Sequence, residues 1–245
     1  MPFKNKLLIG LLSFLLIGGC ADLSLEQALQ TGLDVSQVLV QNSGGNTNQN
    51  YAQAIKETLE LSSSRAASSL SEPGGYSNNS AYKIKMPEQL NTITSTLRTF
   101  GLGGQVDQIE KLMNLGAEAA ATEAKAVFID AAKQMTITDA LGIIQGSNTA
   151  ATEYFQSKTT NILTQRYQPI IESHLSKVGF YSQYKGFLST YNQLPIANKP
   201  ELDLQQHVLR ESLSGLFSQV AKEEALIRQD PVGKGSAFLA SVFGQ

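Results

Sequence analysis

The densest set of chemically able side chains lies between Thr136 and Lys158. Thr136-Ile-Thr-Asp139 has the spacing of a capping box, with Asp in place of the usual Glu. Gly146-Ser-Asn-Thr149 reads as a helix stop followed by a fresh helix N-terminus. The first turn of a helix leaves backbone N–H groups free, and these can hold a carboxylate or a phosphate. Thr149, Thr152, Tyr154 and Lys158 would surround such a ligand, while Asp139 and Glu153 could bind a cation or act as a base. Read as architecture, the same residues are caps at a tight helix–helix corner, each cap contributing about 1 kcal/mol. The sequence leaves both readings open.

Other catalytic chemistries find little to work with. His174 borders a buried stripe, and His207 falls outside the Leu209/Leu213 face and is expected in solvent. Neither has a second His or Cys at ligand spacing, whereas a zinc site needs three or four ligands. No Ser sits in a Gly-x-Ser-x-Gly elbow. Gly101-Leu-Gly-Gly104 lacks the Lys and Ser/Thr of a phosphate loop and reads as a hinge. Glu223, Glu224, Arg228 and Asp230 read as the solvated, charged end of a long helix. No catalytic residue, metal or cofactor is assigned on these grounds. The tyrosines Tyr76, Tyr82, Tyr181, Tyr184 and Tyr191 could line a groove for peptide, glycan or a partner protein, or simply pack half-buried.

These residues sit on a helical scaffold. Apolar side chains recur at helical spacing along Ala52–Leu70, Leu90–Phe100, Val106–Ala120, Ala124–Met135 and Ile137–Ile144. The pattern resumes at Ala151, is interrupted or kinked by Pro169, and ends at Gly179. Tyr181–Tyr191 forms a further segment, Pro195–Pro200 a loop, and Leu209–Ile227 the longest stripe, before a short apolar end at Phe238–Phe243. One stretch departs from this period. Glu72 to Ser80 is turn chemistry, and Tyr82, Ile84 and Met86 then alternate with Ala81, Lys83 and Lys85. Residues 76–86 are expected as an extended arm or half of a small β-ribbon. Tyr76, Asn79 and Tyr82 are candidate partner-binding residues there.

The chain opens with Lys4 and Lys6, an uncharged apolar run over Leu7–Ile17, and small residues before Cys20. That order marks a secretory signal, too short to span a bilayer. Ile17-Gly18-Gly19-Cys20 resembles the bacterial lipobox, which implies removal of residues 1–19 and lipid on Cys20. Residues 20–50 then form an anchored segment ending in the Ser/Gly/Asn/Gln tether Asn42–Asn50, and 51–245 a single helical domain. Asp22, one place beyond the position of the usual inner-membrane retention signal, favours the outer membrane, facing the periplasm. With Cys20 the one cysteine, disulfides are excluded. Loss of Lys4 and Lys6 takes the formal charge from −2 to −4, which argues against nucleic acid as a partner.

Gly75-Tyr76, Asn78-Asn79, Lys83-Ile84 and Met86-Pro87 resemble one block of the bacterial family named domain of unknown function 4197. Met113-Asn114 with Ala117-Glu118-Ala119 is similar to a second block, with Gly116 where the family has Ala. Met135-Thr136, Asp139-Ala140, Ile143-Ile144, Gly146 and Thr149 to Phe155 are similar to a third. Pro169-Ile170-Ile171, Val178-Gly179 and Tyr184 follow in order. The resemblance implies a secreted or lipid-anchored helical protein and brings no activity. The expectation is therefore an all-α, irregular multi-helix bundle, held to the membrane by lipid, that binds a partner protein or scaffolds an envelope assembly. A small-ligand binder, for an amphipathic or anionic molecule, is the alternative, and an uncharacterised enzyme a third.

Overall fold

Ala52, Ile55, Leu59, Ala66 and Leu70 share one face of α1 (Thr47–Ser71) and are all buried. Thr58, Ser62 and Ser63 lie between them, equally buried, and each hydroxyl donates to a carbonyl of the same helix. Their polar groups thus need no outside partner. With small side chains on several sides, α1 takes the centre of the bundle and packs against six other helices.

The computed structural model describes residues 47–177, 179–193 and 203–243. Cys20, the signal segment, residues 42–46 of the tether and the Pro195–Pro200 loop lie outside the described residues. The helix at Thr47 starts inside the segment expected as tether.

After α1 come the arm and a single 3-10 turn at Glu88–Leu90, then α2 (Asn91–Thr99) and α3 (Gly103–Ala121), joined through Gly101 at φ 77°. α4 (Ala124–Gln134) and α5 (Ile137–Ile144) lead to α6 (Ala150–Lys177). α7 (Phe180–Gln193), α8 (Leu204–Gln229), a wide π turn at Pro231–Gly235 and α9 (Ala237–Phe243) complete the order. The fold is an all-α multi-helix bundle, with no strand among the described residues.

Two expectations change. Pro169 neither stops nor divides α6, which runs through it unbroken. Leu163 and Tyr167 before it and Ile171 and Leu175 after it are all buried on one face, and that packing outweighs the roughly 3 kcal/mol cost of an interior proline. The β-ribbon is also replaced. Tyr82, Ile84 and Met86 do point inward and Ala81, Lys83 and Lys85 outward, but the arm lies on helices and pairs with no strand among the described residues.

The core is anchored where α4, α6 and α8 meet. Phe128 stacks on Phe155 at 5.2 Å and meets Phe217 edge-on at 5.9 Å. α6 and α8 run antiparallel: Glu224 meets Thr152 at one end of the pair, and Gln205 meets Glu172 at the other.

Candidate functional site

An extended arm on a helical surface must pair its backbone with side chains. Three polar residues of α3, spaced four apart on one face, do this. Glu110 accepts from the Met86 N–H at 3.0 Å. Asn114 accepts from the Ile84 N–H at 2.9 Å and donates to the Ile84 carbonyl at 2.8 Å. Glu118 Oε1 accepts from the N–H groups of Gly74, Tyr76 and Ser77 and from the Ser77 hydroxyl. From the other side His207 Nε2 bonds the Lys85 carbonyl at 2.8 Å, while Arg210 donates to its Nδ1 at 2.9 Å. His207 is thus the Nε2–H tautomer, and it is buried rather than solvated.

The arm is therefore part of the fold. Tyr76, expected on a docking surface, is fully buried, and its hydroxyl donates to the Ser212 carbonyl at 2.7 Å. Burial, then the charge of Glu118, pushes its phenol well up from the usual value. A side chain with no exposed surface cannot meet a partner. Asn79 holds the turn from within, its carbonyl accepting from the Tyr82 and Lys83 N–H groups and its Oδ1 from Ala81. Tyr82 and Asn79 are both half-buried and reach solvent.

The N-terminus of α6 is occupied from within the molecule. Glu224 of α8 is fully buried, not on a solvated face. Its carboxylate accepts from the Ala151 N–H at 3.2 Å, the Thr152 N–H at 2.8 Å and the Thr152 hydroxyl at 2.6 Å. Arg228, one turn on, pairs with it at 2.9 Å. The anion that the helix end invites is supplied by the protein, so Thr152 serves a helix–helix joint. Thr149 and Ser147 both donate to Glu153, closing the corner on its outer side.

Asp139 stands apart from that corner, in a cavity of about 370 Å³ with Tyr154 and Lys158. The expected capping box is present: Thr136 Oγ1 accepts from the Asp139 N–H, and Asp139 Oδ2 accepts from the Thr136 N–H. Tyr154 donates to the same oxygen at 3.4 Å, and Lys158 lies 5.5 Å from the Tyr154 ring centre. Bonds from the Thr136 hydroxyl and N–H hold the Asp139 carboxyl below its usual range, and burial raises the Tyr154 phenol. Near neutral pH one is ionised and the other protonated, and neither is poised to exchange a proton.

Thr149 and Thr152 open instead onto the other side of α6. There a groove of about 680 Å³ runs between α6 and α8. Gln156, Thr160 and Thr164 form one wall, Gln206, Arg210, Ser214 and Ser218 the other, and Leu209, Leu213 and Phe217 the floor. A second cavity of about 680 Å³ lies between α8 and the arm, and Arg210, Ser214 and Ser218 line both. Sequence reasoning placed the candidates of residues 139–158 in one site; α6 divides them between two faces. It missed Glu110, Asn114, Glu118 and Glu224 as structural polar groups. Their four-residue spacing beside an apolar stripe was the available signal for the first three.

Among the described residues no helix is long and apolar enough to cross a membrane, and no group of three or more His, Cys, Asp or Glu could hold a metal ion. One family model, described as "Protein of unknown function (DUF4197)", matches residues 45–244. No curated protein and no solved structure matches the chain.

Proposed function

We propose for this chain, which belongs to the DUF4197 family, the role of a non-enzymatic, lipid-anchored protein of the cell envelope that binds another envelope component and so scaffolds an assembly. The observation that carries the reading is the groove between α6 and α8. It is a long, open, polar-walled feature built on two rigid helices, and its exposed residues Gln156, Ser214 and Ser218 make none of the joints that hold the fold. The groups that looked catalytic are engaged in caps and clasps. The anchor is the lipid on Cys20; two or more acyl chains hold a protein stably at a membrane.

The test is a photo-crosslinking side chain at Ser214 in the full chain, expressed in Gram-negative cells. The expected result is a light-dependent adduct in the membrane fraction that disappears with Ser218→Glu. Absence of any adduct from Ser214 and from Gln156 would overturn the reading. Cys20→Ser is expected to release the protein from the membrane fraction.

A second reading has its own observation. The cavity at Asp139 falls within the size range of small-ligand pockets and has Lys158 and Arg166 on one wall, Asp130 and Asp139 on the other. A small amphipathic molecule retained in native mass spectra, and lost with Lys158→Ala, would favour it.

A further inference from the structure

We infer that the α6–α8 groove takes a saccharide chain, with sugar hydroxyls on Gln156, Thr160, Thr164, Ser214 and Ser218 and one ring against Tyr82. This rests on the binding reading above and names the class of component bound.

The walls set the chemistry. In each, side chains four residues apart lie about 6 Å apart along the helix. The groove thus presents two facing rows of polar groups, over about 12 Å on α6 and about 18 Å on α8, hydroxyl or amide at every position but Arg210. Such groups can both donate and accept, which matches a polyol, whose hydroxyls also do both; the Thr160 hydroxyl, which donates to the Gln156 carbonyl, serves as an acceptor. Within the groove the charged residues are Glu153 and Arg210. Glu153 at one end already accepts from Thr149 and Ser147, and Arg210, between Gln206 and Ser214, is engaged by Glu211 and His207. An anionic polymer finds no row of cations here.

The floor excludes a second class of ligand. A helical peptide docks by inserting apolar anchors into deep pockets. Leu209, Leu213 and Phe217 are only 5 to 7 % exposed and pack beneath the walls, so they offer a shallow apolar strip and no holes. A sugar ring has that shape of demand: a flat C–H face below and hydroxyls around the rim.

The groove also continues toward an aromatic platform. Arg210, Ser214 and Ser218 carry its lining over into the cavity beside the arm, where Tyr82 is half-buried. Tyr82 can sit close on α8 because Gly215 lies behind it; a Cβ there would come within 3.4 Å of Tyr82 and 3.0 Å of Tyr76. The clasp on the arm fixes this ring in place before any ligand arrives, which lowers the cost of ordering it on binding.

The experiment uses the lipidated full chain in mild detergent. Its probes are the hexamers of N-acetylglucosamine and of glucose, by calorimetry, and the protein-free saccharide residue of Gram-negative envelopes, by co-sedimentation. Binding to at least one is expected, weakened roughly ten-fold by Ser214→Glu with Ser218→Glu, with thermal unfolding of that variant held at the wild-type temperature, and weakened also by Tyr82→Ala. Binding that survives both variants would overturn the site. No binding to any probe, together with a protein adduct at Ser214, would sink the saccharide inference and leave the binding reading standing; no binding and no adduct would sink both.

Discussion

Glu224, with no exposed surface, holds the Thr152 N–H at 2.8 Å and the Thr152 hydroxyl at 2.6 Å across 72 residues of sequence. One carboxylate thus closes the N-terminus of α6, fixes the antiparallel register of α6 against α8, and pairs with Arg228 at 2.9 Å. The groove depends on that register.

Removing this carboxylate leaves the Ala151 and Thr152 N–H groups without their acceptor in a buried place. Glu224→Ala is expected to cost about 3 kcal/mol or more, and Glu224→Gln, which keeps one acceptor, less. Urea denaturation checks this: the midpoint should fall while the slope stays constant.

Asn114 serves the arm as a neighbouring strand would, pairing both the N–H and the carbonyl of Ile84. Asn114→Ala is expected to lower stability by about 2 kcal/mol. It should also speed amide hydrogen exchange at Ile84 and Met86 while α1 stays protected. Uniform acceleration across the molecule would show that the arm does not open by itself.

Tyr76 and Tyr167 are both fully buried but differ in one respect. The Tyr76 hydroxyl donates to the Ser212 carbonyl, whereas the Tyr167 hydroxyl has no hydrogen-bond partner among the described residues. Tyr76→Phe is expected to cost about 1 kcal/mol, and Tyr167→Phe nothing, or to stabilise. Tyr76→Ala, which also empties its space, should cost about 3 to 5 kcal/mol. Chemical denaturation of the three variants decides the order.

Stability should fall at both ends of the pH scale, through different groups. Hydrogen bonds hold the Asp139 carboxyl below its ordinary 3.8, so its contribution is present above that value and is lost as pH falls through the folded value. Burial raises Tyr76 and Tyr167 above their ordinary 10.0. Above that pH the unfolded chain ionises its phenols while the folded one does not, so unfolding gains. Asp139→Asn should flatten the acid limb of a melting-temperature profile, and Tyr167→Phe the alkaline limb. An alkaline limb unchanged in Tyr167→Phe would place that loss elsewhere.

Much of the scaffold is legible in the chain because helices announce themselves locally. Ile137–Ile144 begins at a capping box and stops before Gly146, and the stripe that ends before Pro231 becomes α8. Even the arm's alternation survives, since Tyr82, Ile84 and Met86 need only one buried face, whatever lies beneath it. Pro169 does not interrupt α6, because local propensity, worth a few kcal/mol, competes with a face buried on both sides of it.

The amino-acid sequence by itself determined the helical class, most helix ends, the inward face of the arm and the family. Each of these depends on residues a few positions apart. Only the tertiary structure decided which polar residues are free to bind. Glu224 and His207 look solvated beside their neighbours, and Tyr76 looks like a surface tyrosine, until Thr152, Lys85 and Ser212 are brought against them. A buried polar group is stable only when another part of the chain supplies its partner. That partner can lie more than a hundred residues away, where spacing carries no signal.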